Sequence, residues 1–317
     1  MKNNSKLDFY FPGWTRKSIT FSLDDGDIVN DAKFLEIARP AGILGTFNIS
    51  APKKLTPEEY RKLYEGYEIA NHCAHHPLVF IPGQEYVVAD EPYNKETARD
   101  YTESDPVIYK SEVENVYKIV KEGTARNITD RETYLRFASE NRKKLEEVFG
   151  EGSIKAYVWP YTESKDKEVY NALCKEGYTY IRATRKPIIS NGDYNFNIPE
   201  DKTHWCATVS PGNLLSGMEM YENYPDDGNL KFFSIGVHAR SFKKDNKWED
   251  LKKFAEKYAN RPNDYYYATN VDIVEYEAAV KALIITEDTV ENPTDKDVYM
   301  TVSGERVILK AKTSLKY

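Results

Sequence analysis

Only three cysteines, Cys73, Cys174 and Cys206, occur in 317 residues, which excludes a disulfide scaffold in a chain of this length. A reducing compartment and a secreted chain trimmed of its leader both remain open. No run approaches the ~18 consecutive apolar residues of a membrane helix. The opening MKNNSKLDFYF lacks the apolar core of a signal peptide. The expectation is a chain without a membrane span, cytoplasmic as given, or secreted or periplasmic if a leader has been removed. Basic charge is also in deficit: 44 Lys and Arg stand against 51 Asp and Glu, a net charge of −7. With no basic stripe to receive phosphates, nucleic acid is not an expected partner. Histidine is scarce, five in all, yet His72, His75 and His76 fall within five positions. Tyrosine is abundant, 25 against 13 Phe. No internal repeat or low-complexity tract is present, and nothing in the sequence speaks to oligomeric state.

Apolar, β-rich runs recur at KSITFSL (17–23), ILGTFNI (43–49), YEIA (67–70), KAYVW (155–159), YTYI (178–181), KFFSIGV (231–237) and YYYAT (265–269). Most precede an amphipathic pattern, at 31–41, 56–66, 130–149, 165–176, 247–260 and 271–283, and Thr129 or Asp130 would cap the longest. Strand and helix alternating about seven times imply an α/β fold with parallel strands and right-handed crossovers, either a closed barrel or a doubly wound sheet. Residues 82–128 interrupt the rhythm with a polar stretch carrying Tyr86, Tyr93, Tyr101, Tyr109 and Tyr117, which reads as a long loop, functional or disordered. The expected domain plan is a main unit over 1–283 and a β appendage over 284–317, too short to bury a core alone and so docked on the main unit.

Marking the polar residues that follow each expected strand gives Asp24 and Asp25 after the first, His72 to His76 after the third, Pro160 and Tyr161 after the fourth, Arg182 after the fifth and His238 after the sixth. In parallel α/β folds, sites form at the carboxyl ends of strands. NHCAHHP (71–77) offers His72 and His76 as neutral imidazole ligands, and a carboxylate from Asp25 can complete a metal set with open positions. His75 reads as a neighbour rather than a ligand, and Cys73 as a small buried residue of the turn. Adjacent carboxylates at Asp24 and Asp25 repel unless a cation or a proton relieves them. A metal on one leaves the other free to act as a general base. His238, at the end of a strand and near neutral in its ordinary pKa, can protonate a leaving group. His204 and Trp205 could line a cleft, where Trp and Tyr faces stack on sugar rings.

ITFSLDDGD (19–27), ILGTFNI (43–49), NHCAHHP (71–77), YVWPY (157–161) and FFSIGVHARSF (232–242) occur in the motif order of the polysaccharide deacetylase family, carbohydrate esterase family 4 with its NodB-type homology domain. Over roughly residues 15–280 the chain resembles that family. The resemblance implies a distorted (β/α)7 barrel with a long insertion after strand three and a divalent metal, often zinc, held by Asp25, His72 and His76. It further implies Asp24 as catalytic base, His238 as the acid that protonates the departing amine, and the backbone N–H of Tyr161 as an oxyanion donor. The substrate it implies is an acetylated carbohydrate, or a small amide, whose N-acetyl or O-acetyl group is hydrolysed.

Two departures stand out. The family's third motif carries an Arg two residues before its Pro, and here that position is Val158. Arg182 is the candidate replacement, against the alternative of a surface ion pair. The family's fourth-motif Asp, partner of the acid, has no clear counterpart. Three other readings follow: hydrolysis of a small non-peptide amide at the same site, oxygen chemistry on iron held by the same donor set, and a non-catalytic, metal-retaining carbohydrate-binding protein.

Overall fold

The strands form where β-branched and aromatic residues run together, and they stop at turn-forming pairs such as Asp25-Gly26. The computed structural model describes residues 7–52, 54–79, 87–89, 107–110, 117–121, 124–161, 164, 166–183, 189–190, 193–209 and 211–317. One sheet contains β1 (Lys17–Asp24), β2 (Gly45–Ile49), β3 (Glu68–Asn71), β4 (Ala156–Val158), β5 (Tyr180–Arg182), β6 (Lys231–Val237) and β7 (Tyr266–Tyr267). Its strand order is β5-β4-β3-β2-β1-β6, with β7 also on β1. The registered pairs β6/β1, β7/β1, β4/β5 and β3/β4 are parallel. Helices α1 (Ile28–Ala38), α2 (Pro57–Leu63), α3 (Arg131–Phe149), α4 (Lys167–Cys174), α5 (Leu214–Glu222), α6 (Lys247–Tyr258) and α7 (Asn270–Lys281) alternate with these strands. This alternation of parallel strands and helices is that of the expected distorted (β/α)7 class.

By Cα proximity the chain divides into one unit of residues 1–47, 63–68 and 185–317 and another of 48–62 and 69–184. In the first, β1 is buried from Ser18 onward, as a parallel strand covered on both faces must be. Phe21 packs on Phe34 and Phe254 at ring separations of 5.2 and 5.6 Å. Gly45 opens β2 because a Cβ there would lie 2.7 Å from the Phe21 carbonyl oxygen. Thr269 and Asp272 form a reciprocal capping box that starts α7. Leu7–Tyr10 pairs with Val298–Val302, which pairs with Glu305–Leu309, while Thr289–Asn292 pairs with Ile284–Ile285 and Thr313–Lys316. These tail strands share a small core of Val290, Met300 and Leu309, and Leu7 and Phe9 pack against it.

In the second unit, Asp130 is the α3 cap and accepts from the Thr133 N–H. The helix buries Tyr134, Phe137, Ala138, Leu145 and Val148, as its period predicts. The long loop expected over 82–128 is corrected here. Strands Val87–Ala89, Val107–Lys110, Tyr117–Lys121 and Thr124–Thr129 join Pro77–Val79 in a five-stranded sheet. Strands of three to six residues separated by polar segments give too little alternation to register as β. Tyr86, Tyr93 and Tyr101 lie outside the described residues. Helix α5, which holds Gly217 at its centre, is a further element that periodicity did not predict; tertiary packing against Val209 and Phe233 holds it.

Candidate active site and metal centre

In the first unit, β1 ends at Asp24, which is only 6% exposed. Asp25 then takes a left-handed backbone, φ 79°, and Gly26 follows at φ 62°. Asp27 accepts from the Asn30 N–H and so caps α1. Strand β6 runs beside β1 to the Val237–Leu23 pair, so His238 leaves its strand next to the two aspartates. His238 Nε2 lies 3.4 Å from Asp25 Oδ2, and Arg240 Nη1 donates to the same oxygen at 2.6 Å. Sequence reasoning missed Arg240, although it lies inside the quoted FFSIGVHARSF segment. A fourth acid, Asp31, is fully buried on α1 and accepts from the Tyr64 hydroxyl at 2.8 Å. Burial pushes its pKa up to about 8, helped by the negative charges of Asp27 and Asp25, while the Tyr64 hydrogen bond pulls the other way.

In the second unit, His72 follows β3 and is 1% exposed. Its Nδ1 lies 2.9 Å from the Val158 carbonyl. A carbonyl only accepts, so the proton sits on Nδ1 and Nε2 keeps its lone pair for an acceptor or ligand role. That Nε2 lies 3.1 Å from Nε2 of His76. Two nitrogens bound to one tetrahedral zinc at ~2.0–2.1 Å would be roughly 3.3 Å apart. The ring of His76 meets Tyr161 edge-on at 4.3 Å, and that of His75 turns to Phe137 at 4.5 Å. Cys73, His75, His76 and Tyr161 all carry positive φ, backbone strain of the sort concentrated at functional sites.

A buried amide network holds this loop. Asn71 Nδ2 donates to the Ala138 carbonyl at 2.7 Å and to the Tyr178 hydroxyl at 2.9 Å, while its Oδ1 accepts from the Cys73 N–H and from Asn141 Nδ2. Asn141 also donates to the Ile49 carbonyl and accepts from the Ala51 N–H. The adjacency of Asn71 to His72 was the one sequence signal for this network, and nothing local marks Asn141. Burial raises the Cys73 thiol far above its ordinary pKa, which suits an inert packing residue rather than a soft ligand.

Within the second unit His72 and His76 bring two imidazole nitrogens to 3.1 Å of each other, and within the first Asp25 presents a carboxylate just after β1. A pair of imidazoles at this separation, one with its tautomer set by a backbone carbonyl, suits a divalent metal. Arg182 ends β5 at 3% exposure, so the surface ion pair is excluded for it. Trp205 does not line a cleft: it is fully buried, and its indole N–H donates to Asn270. His204, held by Asp201 at 2.6 Å, faces a cavity of about 740 Å³ beside Phe232, at the end of β6 away from His238.

Residues 13–181, just over half of the chain, match the sequence profile of the family described as Polysaccharide deacetylase. The chain belongs to the polysaccharide deacetylase family. Among solved structures it is similar to a Mycobacterium smegmatis protein assigned as a polysaccharide deacetylase, at 15% identity and a TM-score of 0.50, covering 88% of this chain and 98% of that one. It is also similar to the Bacillus subtilis peptidoglycan deacetylase PdaC, at 14% identity and a TM-score of 0.41, covering 84% and 94%. A third similar structure is the chitin deacetylase of the fungal pathogen Colletotrichum lindemuthianum, at 12% and 0.42, covering 83% and 87%. At such identity the first likeness shows the fold alone. No curated protein matches the chain at a significant level. This deacetylase-family chain has no helix, among the described residues, long and apolar enough to cross a membrane.

Proposed function

We propose that the protein is a metal-dependent hydrolase that removes N-acetyl, or O-acetyl, groups from an amino sugar or glycan. The observation that carries this reading is the pair of imidazole Nε2 atoms of His72 and His76, 3.1 Å apart, in a chain of this family, with Asp25 as the proposed carboxylate ligand. A divalent metal at these residues, zinc first among the candidates, would polarise an acyl carbonyl and make water a nucleophile at neutral pH. Asp24, adjacent in sequence but outside the donor set, takes the proton of the attacking water at its carboxylate. The backbone N–H of Tyr161 donates to the oxyanion as the carbonyl becomes tetrahedral. His238 gives a proton to the departing amine nitrogen. Arg182, in place of the arginine absent at Val158, orients Asp24. If it does, Arg182→Ala lowers turnover; unchanged turnover removes that role.

The test is acetate release from acetylated glycans and small amides, with defined metals and Asp24→Asn as control. Asp24→Asn should lose about 10²- to 10⁴-fold in rate. Full activity in that variant would remove the base assignment. Release from small amides alone would move the substrate to that class. Val158, where the family carries arginine, favours one second reading, a glycan-binding protein without turnover. A metal-loaded sample that binds glycans and releases no acetate would decide for it.

A further inference from the structure

The carboxyl end of β1 and the first turns of α1 place four carboxylates, Asp24, Asp25, Asp27 and Asp31, within eight residues. Two groups meet Asp25 from the neighbouring strand end, both at Oδ2: His238 Nε2 at 3.4 Å and Arg240 Nη1 at 2.6 Å. Arg240 stands on a 3-10 turn (Ala239–Asn246) directly after β6, and the Ser241 N–H donates to the His238 carbonyl at 2.8 Å to set that turn. Its side chain is about half exposed and that of Asp25 about a quarter. An exposed pair of this kind adds little to stability, typically 0–1 kcal/mol. The contact therefore needs another account than holding the fold.

We propose that Arg240 is a positioning residue for Asp25: its guanidinium fixes the carboxylate through Oδ2 and so sets the affinity of the metal centre. This rests on the reading of Asp25, His72 and His76 as metal ligands. A guanidinium stays charged and presents a planar fork of donors, so it orients a carboxylate as an ammonium does not. Partners of ligating groups of this kind govern affinity by about 10- to 100-fold. Arg240 thereby does for Asp25 what the Val158 carbonyl does for His72.

The experiment titrates the full-length protein with Zn(II) against a chelator and with Co(II) by visible absorption, for wild type, Arg240→Ala and Arg240→Lys. Arg240→Ala should weaken both metals about 10- to 100-fold and shift the cobalt bands. Arg240→Lys should fall between, and the unfolding midpoint of metal-free protein should stay near wild type in both variants. Unchanged or tighter binding in both variants would overturn the role of Arg240 and leave the metal centre standing. A wild-type protein that binds neither metal would overturn the metal centre and this inference with it.

Discussion

At the residue scale the chemistry turns on how few groups each donor can face. The proton on His72 Nδ1 is committed to the Val158 carbonyl, so Nε2 is available as a ligand without any tautomer change. His72→Ala should therefore abolish stoichiometric Zn(II) binding, measured by metal analysis after gel filtration, while leaving the fold intact by circular dichroism. Asp31 behaves differently. Its pKa of about 8 in the folded chain lies far above the ~3.9 of an unfolded aspartate. Below about pH 4 both states hold the proton and its stabilising effect is fully present. Between about pH 4 and pH 8 only the folded state keeps the proton, so stability falls as pH rises and the effect is gone above pH 8. Asp31→Asn, which carries no charge, should flatten that fall, a difference on the order of a few kcal/mol across the window. Urea unfolding of both proteins at pH 5, 6.5 and 8 checks it; parallel slopes would mean that Asp31 is ionised in the fold. The motif residues themselves were legible, because DDG and HxxxHP crowd rare types at strand ends. Arg240 and Asn141 were not, since their importance lies in what they touch 215 and 70 positions away.

At the element scale, the seven strands and six of the seven helices stand close to where period and caps put them. β1 was readable because KSITFSLD is a continuous buried run ending in a turn pair. The strands between residues 77 and 129 were missed because each is too short to declare a period, and their pairing is what makes them strands. Close approach of elements was equally invisible. Gly45→Ala would drive a Cβ to 2.7 Å from the Phe21 carbonyl. It should cost about 1–3 kcal/mol in urea unfolding, whereas Ala at Gly66, with open space around it, should cost only its left-handed backbone. The buried amide network offers a second case. Asn141→Ala leaves Asn71, the Ile49 carbonyl and the Ala51 N–H each short of a buried partner. About 1–3 kcal/mol of lost stability should follow, together with weaker metal binding through the loosened His72 loop. Three of the tyrosines find their place at this scale too. Tyr134 and Tyr157 share a 2.7 Å hydrogen bond in the core, and Tyr221 donates to the Ser18 carbonyl. These are fully buried, paired hydroxyls rather than half-wet surface rings.

At the scale of the whole molecule, the tail strands share a core with Leu7 and Phe9 and pair with Leu7–Tyr10. Tyr276 of α7 ties both: its hydroxyl donates to the Tyr10 carbonyl and accepts from the Tyr299 N–H. We propose that 284–317 acts as an appendage to a main unit over 1–283. Removal of 284–317 should lower the thermal midpoint and expose apolar surface to a hydrophobic dye; an unchanged midpoint would show that the tail is dispensable. Order along the chain, the α/β alternation and the candidate metal donors follow from the residues in sequence, because hydrophobic period, caps and strand-end chemistry are local properties. Which nitrogen of His72 holds the proton, how close His76 comes to it, and which cation reaches Asp25 were decided by the tertiary structure. Those depend on strand register and on side chains brought together from distant positions, and no local pattern encodes such distances.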